Sequence, residues 1–369
     1  MNEIDNRVVS SDPLDRIHED LHDLMFHHLN GKDILIASKV SSQWYTSTST
    51  SKSSMSQIQL KIIQPIQQAN EMFDVINNSY KLFQNIIFSC NYDETLIDNC
   101  FKIISKHAKV IVNVEAIDMI LNDNDLMQTI KLPHLRALSL RGYKPNNVNE
   151  LYSMFLAAST CLYSVKLDIH IDEQVFKCLK HNNNLTELEI SQQTIDALFA
   201  KDITVITKFK LKILRANIHE MNSIVDANFT KFLQTQAPTL ESLHLARVPA
   251  KVFPIIFNKM HLLQKFYFQS FTGSMTDLTI NQNRCIQSLE MRHEYMLERI
   301  KPLIDATPNV QLLFVERITQ NLLELLSKLD KLKRVNYMHE TDFDFNNNYD
   351  DALNMTLPNI IRHIEYFND

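Results

Sequence analysis

Leu135-Arg136-Ala137-Leu138-Ser139-Leu140 carries apolar side chains at its first, fourth and sixth positions. The same spacing returns as Leu162/Val165/Leu167, Leu185/Leu188/Ile190, Leu211/Leu214/Ala216 and Leu240/Leu243/Leu245. It continues through Leu263/Phe266/Phe268, Ile286/Leu289/Met291, Val310/Leu313/Val315, Leu332/Val335/Tyr337 and Ile361/Ile364/Tyr366. First positions follow one another at intervals of 22 to 29 residues, and the alternation at the end of each motif has the period of a strand with one buried face.

A Leu-x-x-Leu-x-Leu sentence repeated at this period resembles the leucine-rich repeat family. The resemblance implies an α/β solenoid, a horseshoe with parallel strands on its concave face and helices on its convex face. Stepping back 26 residues at a time from Leu135 extends the pattern to Lys109/Val112/Val114, Phe83/Ile86/Phe88 and Gln57/Leu60/Ile62. The solenoid is expected over residues 56–369, in about twelve repeats. Stretches such as 148–156 and 321–329 have apolar residues at three- and four-residue spacing, so a helix is expected between strands. Pro133, Pro238, Pro308 and Pro358 fall just before strand motifs, where a prolyl nitrogen cannot continue a helix. Tyr143, His170, Gln193, His219 and Val248 stand where many such repeats carry asparagine, so the curvature is expected to be irregular.

A chain of 369 residues with 45% apolar content can bury a large core, and a net charge of −6 gives no bulk attraction to nucleic acid or an anionic membrane. Cysteines at 90, 100, 161, 178 and 285 are odd in number and scattered, which points to a reducing compartment, cytoplasmic or nuclear. The first seven residues are polar, without an apolar signal core, and no run approaches a membrane span. With three glycines in all, a phosphate-cradling loop is excluded, and no local signature of a catalytic cysteine occurs. Neither an enzyme nor a cofactor is expected; a protein surface is the default ligand.

Residues 12–48 break the repeat. Leu21, Leu24, Met25, Phe26 and Leu29 have helical spacing, Asn30-Gly31 marks a turn that closes a helix, and Ser41 or Ser42 can cap a third helix. About forty residues in three short helices bury little surface by themselves, so the segment is either a cap on the solenoid or a docking motif completed by a partner. Ile17-His18-x-Asp20-Leu21 and Val40-Ser41-Ser42-Gln43-Trp44, with Leu29 and Asp33-Ile34-Leu35 between, resemble an F-box. His18 stands where that family has proline, and Ser41 where it has cysteine.

An F-box before leucine-rich repeats implies the substrate-recognition subunit of an SCF-type ubiquitin ligase. Such a subunit docks a Skp-type adaptor and, through it, cullin, as a monomer within a hetero-complex. The resemblance assigns adaptor contact to Ile17, Leu21, Leu24, Met25, Leu29, Ile34 and Trp44, the only tryptophan. The alternative is a non-enzymatic interaction scaffold whose N-terminal helices only cap the solenoid. A third reading has the adaptor bound for a non-degradative assembly. The expected layout is a tail at 1–11, the F-box at 12–48, a flexible Ser/Thr hinge at 49–55, and the repeats.

Strand residues between the apolar positions face the concave side. Arg141, Lys166, Arg215, His244, Tyr267, Glu290, Phe314 and Met338 are the candidate contacts to an unidentified target protein. Tyr267, Leu312, Phe314 and Met338 are large and apolar there, and serve either as contact points or as a surface covered by the chain's own tail or loops. The oxygen-rich run Asp342–Asp351 lacks the glycine and glutamate of a calcium loop, because Asn347 and Leu353 hold those places. His18 and His22 share a helix face without the glutamate of a metalloprotease, and adjacent His27 and His28 are read as facing apart. No metal site is expected.

Overall fold

The computed structural model describes residues 12–63, 73, 75–76, 78–79, 81–89, 94–118, 131–142, 153, 155–169, 178–179, 182–200, 209–220, 222–293, 297–317, 319–338 and 361–365. The expected tail at 1–11, the oxygen-rich run at 342–351 and most of the helix at 148–156 lie outside the described residues. Two compact units divide the chain, residues 1–162 and 163–369.

The first unit opens with a 3₁₀ turn, Pro13–Arg16, and four helices: α1 (Glu19–His27), α2 (Gly31–Ala37), α3 (Ser42–Thr50) and α4 (Lys52–Gln57). Strands β1 (Gln59–Ile63), β2 (Asn85–Ser89), β3 (Asn113–Ile117) and β4 (Ala137–Arg141) follow, with α5 (Glu94–His107) between β2 and β3. They pair in parallel and in chain order.

The second unit contains β5 (Ser164–Asp168), β6 (Glu187–Ile190), α6 (Gln192–Phe199), β7 (Ile213–Ala216), α7 (Ser223–Gln236) and β8 (Ser242–Pro249). Then come α8 (Phe253–Lys259), β9 (Lys265–Thr272), β10 (Ser288–Met291), α9 (Leu297–Asp305), β11 (Leu312–Val315), α10 (Gln320–Leu326), β12 (Arg334–Met338) and β13 (Ile361–Glu365). These nine strands are again parallel neighbours in chain order, which makes the architecture an α/β solenoid.

The motif dictates this arrangement. Leu135, Leu138 and Leu140 are fully buried, as are Leu185, Leu188 and Ile190, and Leu240, Leu243 and Leu245. Each leucine taken from water is worth about 1.5–3 kcal/mol, but a single strand has nothing to bury them against. The neighbouring repeat supplies it.

One carbonyl stitches each junction. Gln264 O accepts both Gln287 N (2.9 Å) and Ser288 N (3.0 Å), Gln287 O accepts Gln311 N and Leu312 N, and Gln311 O accepts Lys333 N and Arg334 N. The same sharing occurs at Val112 O, Tyr163 O, Thr186 O, Lys212 O and Glu241 O. The sequence lacks the asparagines that many such repeats carry after the strand, but a buried polar group stands before several of the strands. Ser159, Asn182, Asn283 and Thr307 each lie three residues ahead of a first apolar position. Ser159 Oγ accepts Cys161 N and donates to Leu135 O, and Asn283 Oδ1 accepts Cys285 N.

Four sequence expectations are corrected. Lys109/Val112/Val114 is displaced by two: Ile111, Val114 and Ala116 are the buried set, and Val114 pairs with Ile86 and Leu138. The last motif is displaced likewise, since Ile364 pairs with Tyr337 rather than Val335. Both shifts keep the side-chain parity, which alternation alone reports. No helix forms between β9 and β10; the connection is pinned onto α8 by Asn258, whose Oδ1 accepts Asn281 N at 2.7 Å.

The fourth correction concerns the Ser/Thr run, which is helical rather than a hinge. Thr46, Thr48 and Thr50 return their hydroxyls to carbonyls four residues back, and Ser51 starts α4 by accepting Ser54 N. Ile58, buried, leads straight into β1.

His107 ends α5 with its ring wholly buried edge-on against Phe83, and neither ring nitrogen has a hydrogen-bond partner among the described residues. Burial, and then the Lys106 ammonium, push it down from 6.5 to about 4. The unfolded chain takes up that proton first, so stability is whole above pH 6.5 and falls as pH drops toward 4, by on the order of a few kcal/mol. His107→Leu should flatten this slope in denaturant titrations between pH 7 and pH 4.5; an unchanged slope would assign it to other groups.

Candidate functional site

The helical head is built around Phe26, Ile34 and Leu14, all fully buried, with α4 packed against α1, α2 and α3. Asn30 is the N-cap of α2, its Oδ1 accepting Lys32 N and Asp33 N at 3.0 Å. Gly31 is therefore the first residue of that helix, not a left-handed stop. It is glycine because a Cβ there would strike the carbonyl of Gln57 at the end of α4. Ser41 caps α3 by accepting Trp44 N at 3.2 Å.

Asp12 organises the tryptophan. Its Oδ1 accepts Trp44 Nε1 and Leu14 N, each at 3.0 Å, while Oδ2 accepts Ser41 Oγ at 2.7 Å. The Ser41 hydroxyl first, and the Leu14 amide second, hold this carboxyl below the usual aspartate value of 3.8. Trp44 meets Phe26 edge-on, with ring centroids 6.2 Å apart. His22 is buried, and its Nε2 lies 3.4 Å from Leu14 O. His27 and His28, read as facing apart, are both exposed, and their rings meet edge-on 5.5 Å apart.

The seven residues assigned to adaptor contact thus divide. Leu21 and Leu24 are exposed, at 52% and 59%. Ile17, Met25, Leu29 and Trp44 are half-buried. Ile34 is corrected: it sits in the head's core and offers no surface. Leu35, Ile36 and Val40, none of them among the seven, are instead left outside at 43%, 56% and 63%. Of the eleven large apolar side chains exposed among the described residues, six lie between Leu21 and Tyr45, so uncovered apolar surface concentrates in the head.

In the second unit, parallel register lays the open-face residues in one row: Lys166, Glu189, Arg215, His244, Tyr267, Glu290, Phe314 and Asn336. Lys166 pairs with Glu189 at 2.5 Å, and His244 stacks on Tyr267 with centroids 5.3 Å apart. Arg292 Nε pairs with Glu290 Oε1 at 2.9 Å. The same guanidinium lies over Tyr267 and Phe314, at 5.6 and 5.2 Å from the ring centres. Phe314 is corrected: it is 1% exposed, with Arg292 across its ring, and acts as core. Met338 closes β12, paired with Glu365. Arg141 is half-buried at the end of β4, in the first unit, so it does not belong to this row.

His244 is drawn below its ordinary 6.5, chiefly by burial and then by Arg215 and Lys265, with Glu189 opposing. Lys265 and Arg292 lie two residues from Tyr267 and Glu290 and share their strand parity, but which neighbours they meet depends on the strand each flanks. A groove of about 350 Å³ opens beyond β7, β8 and β9, lined in part by His219, Glu220, Asp226, Arg247 and Thr272. Within it Arg247 Nη1 donates to His219 O at 2.9 Å, and Asp226 is paired with Lys251.

Among the described residues no three His, Cys, Asp or Glu side chains gather as a metal site, and no helix is long and apolar enough to cross a membrane. Cys161 and Cys285 are exposed thiols.

Asp12→Ala should release the indole, giving a red-shifted Trp44 emission and a head that loosens before the sheet in denaturant. In the wild type the same shift should set in as pH falls below 3.8, because the depressed carboxyl stabilises only while ionised. Phe314→Ala should cost about 3–5 kcal/mol of stability, as a core deletion does; a near-neutral result in urea unfolding would return Phe314 to the surface. No family model matches the chain, and no curated protein matches it in sequence.

Proposed function

We propose that the chain is the substrate-recognition subunit of an SCF-type ubiquitin ligase. The F-box-like head docks a Skp-type adaptor, and through it cullin, while the open face of the repeats holds a target protein. The observation that supports this reading is the head's uncovered apolar surface. Leu21, Leu24, Leu35, Ile36 and Val40 remain in water although the segment has a core of its own. Such surface is costly unless something covers it, and interface cores are apolar and aromatic.

The receptor itself needs no catalytic group and no cofactor. Holding a target beside a ubiquitin-loaded enzyme replaces a bimolecular encounter by an oriented one, worth up to about 7–11 kcal/mol when the geometry is ideal. The Asp12 clamp fits this role by fixing the indole edge, so little side-chain freedom is lost when a partner packs against it.

A second reading, an interaction scaffold whose head only caps the solenoid, draws support from the junction. Asn85 Nδ2 donates to Ser56 O at 2.7 Å, and Met55 and Ile58 are buried beside β1. Capping needs no exposed leucines, so the two readings separate experimentally. Leu24→Glu with Val40→Glu should abolish co-purification of a Skp-type adaptor while leaving Trp44 emission and thermal unfolding unchanged. Retention of the adaptor by that well-folded double variant would leave the cap as the head's whole role. Loss of target ubiquitination with the adaptor still bound would separate a degradative from a non-degradative assembly.

A further inference from the structure

Charge on the open face of the second unit is unevenly paired. Lys166 takes Glu189, Lys212 takes Glu241 at 2.9 Å, and Arg292 takes Glu290. Arg215 and Lys265 are left without a carboxylate or a hydrogen-bond partner among the described residues. Both cations lower the pKa of the His244 imidazole.

The register fixes their spacing. Arg215 faces His244, and His244 faces Tyr267, whereas Lys265 precedes Tyr267 by two residues. With strands about 4.8 Å apart and a rise of about 3.3 Å per residue, the Cα atoms of Arg215 and Lys265 lie about 12 Å apart. The imidazole and phenol rings of His244 and Tyr267, centroids 5.3 Å apart and tilted by 31°, form a half-buried aromatic plate between them, with Arg292 over the Tyr267 ring.

We infer that this plate, flanked by Arg215 and Lys265, is the docking site for an acidic segment of a partner protein. Two carboxylate side chains two or three residues apart span the cations, and an apolar residue between them covers the rings. The inference rests on the open face being the target surface and names the class of target it takes. The complementarity is local. A chain with a net charge of −6 repels acidic peptides in general, so only a place where cations outnumber carboxylates can receive one. His244, held below its ordinary value by burial and by the same two cations, stays neutral near pH 7 and contributes a ring N–H without further charge.

The test is a selection of random twelve-residue peptides, displayed on phage, against the purified full chain. Enriched peptides should carry paired Asp or Glu around an apolar residue. Synthesised and labelled, they should bind about tenfold more weakly to Arg215→Ala/Lys265→Ala, and more weakly as salt rises. Arg215→Glu/Lys265→Glu should instead enrich Lys- and Arg-bearing peptides. Enrichment without acidic bias, binding unchanged in the alanine pair, or no enrichment above an unrelated repeat protein each overturns the inference. Adaptor co-purification is measured on the same variants and should be untouched. Its loss in the head variants alone concerns the ligase reading, and failure of the peptide selection alone concerns this one.

Discussion

A strand with three buried apolar side chains cannot bury them alone, and every other feature of this molecule follows from that. The neighbouring repeat supplies the missing wall, and the strands that share it lie parallel and in chain order. The shared carbonyls at Gln264, Gln287 and Gln311 then fix the register at each junction to the residue. Once the inward positions are committed to burial, the outward ones line up by necessity. The row from Lys166 to Asn336 is a consequence of the core, not a separate design. Function is therefore written on positions that the fold leaves free.

The sequence was most legible where one rule decided the outcome. Parity along each strand was readable from Leu138 and Leu140 onward, because alternation is the direct imprint of a sheet with one covered face. Register was less readable. Val110, Val112 and Val114 alternate as well as any strand, yet Ile111 is the first buried residue of that repeat, and pairing with β2 and β4 settled the matter. Alternation fixes which face a residue takes; it does not fix how far along the neighbour it sits.

The head was legible in outline and not in detail. Helical spacing found its helices, but a short bundle shares its leucines between an inside and an outside. Ile34 and Leu35 are adjacent, and only packing against α4 decides that one is core and the other surface. Phe314 misled for the opposite reason: an outward strand position is core when a neighbouring arginine lies across it. The expected hinge at 49–55 lies in a Ser/Thr run that looked like slack because such residues compete with backbone hydrogen bonds in unfolded chains. In place, their hydroxyls bond the previous turn and the helices persist.

Because α4 passes into β1 with only Ile58 between them, and because Gly31 lets α2 abut the end of α4, head and first strand share one stiff joint. A body gripping the head would feel the sheet of the first unit as a lever rather than a tethered weight. Pointing accuracy, which in many recognition proteins is traded for reach through a loose linker, is here written into the splice itself.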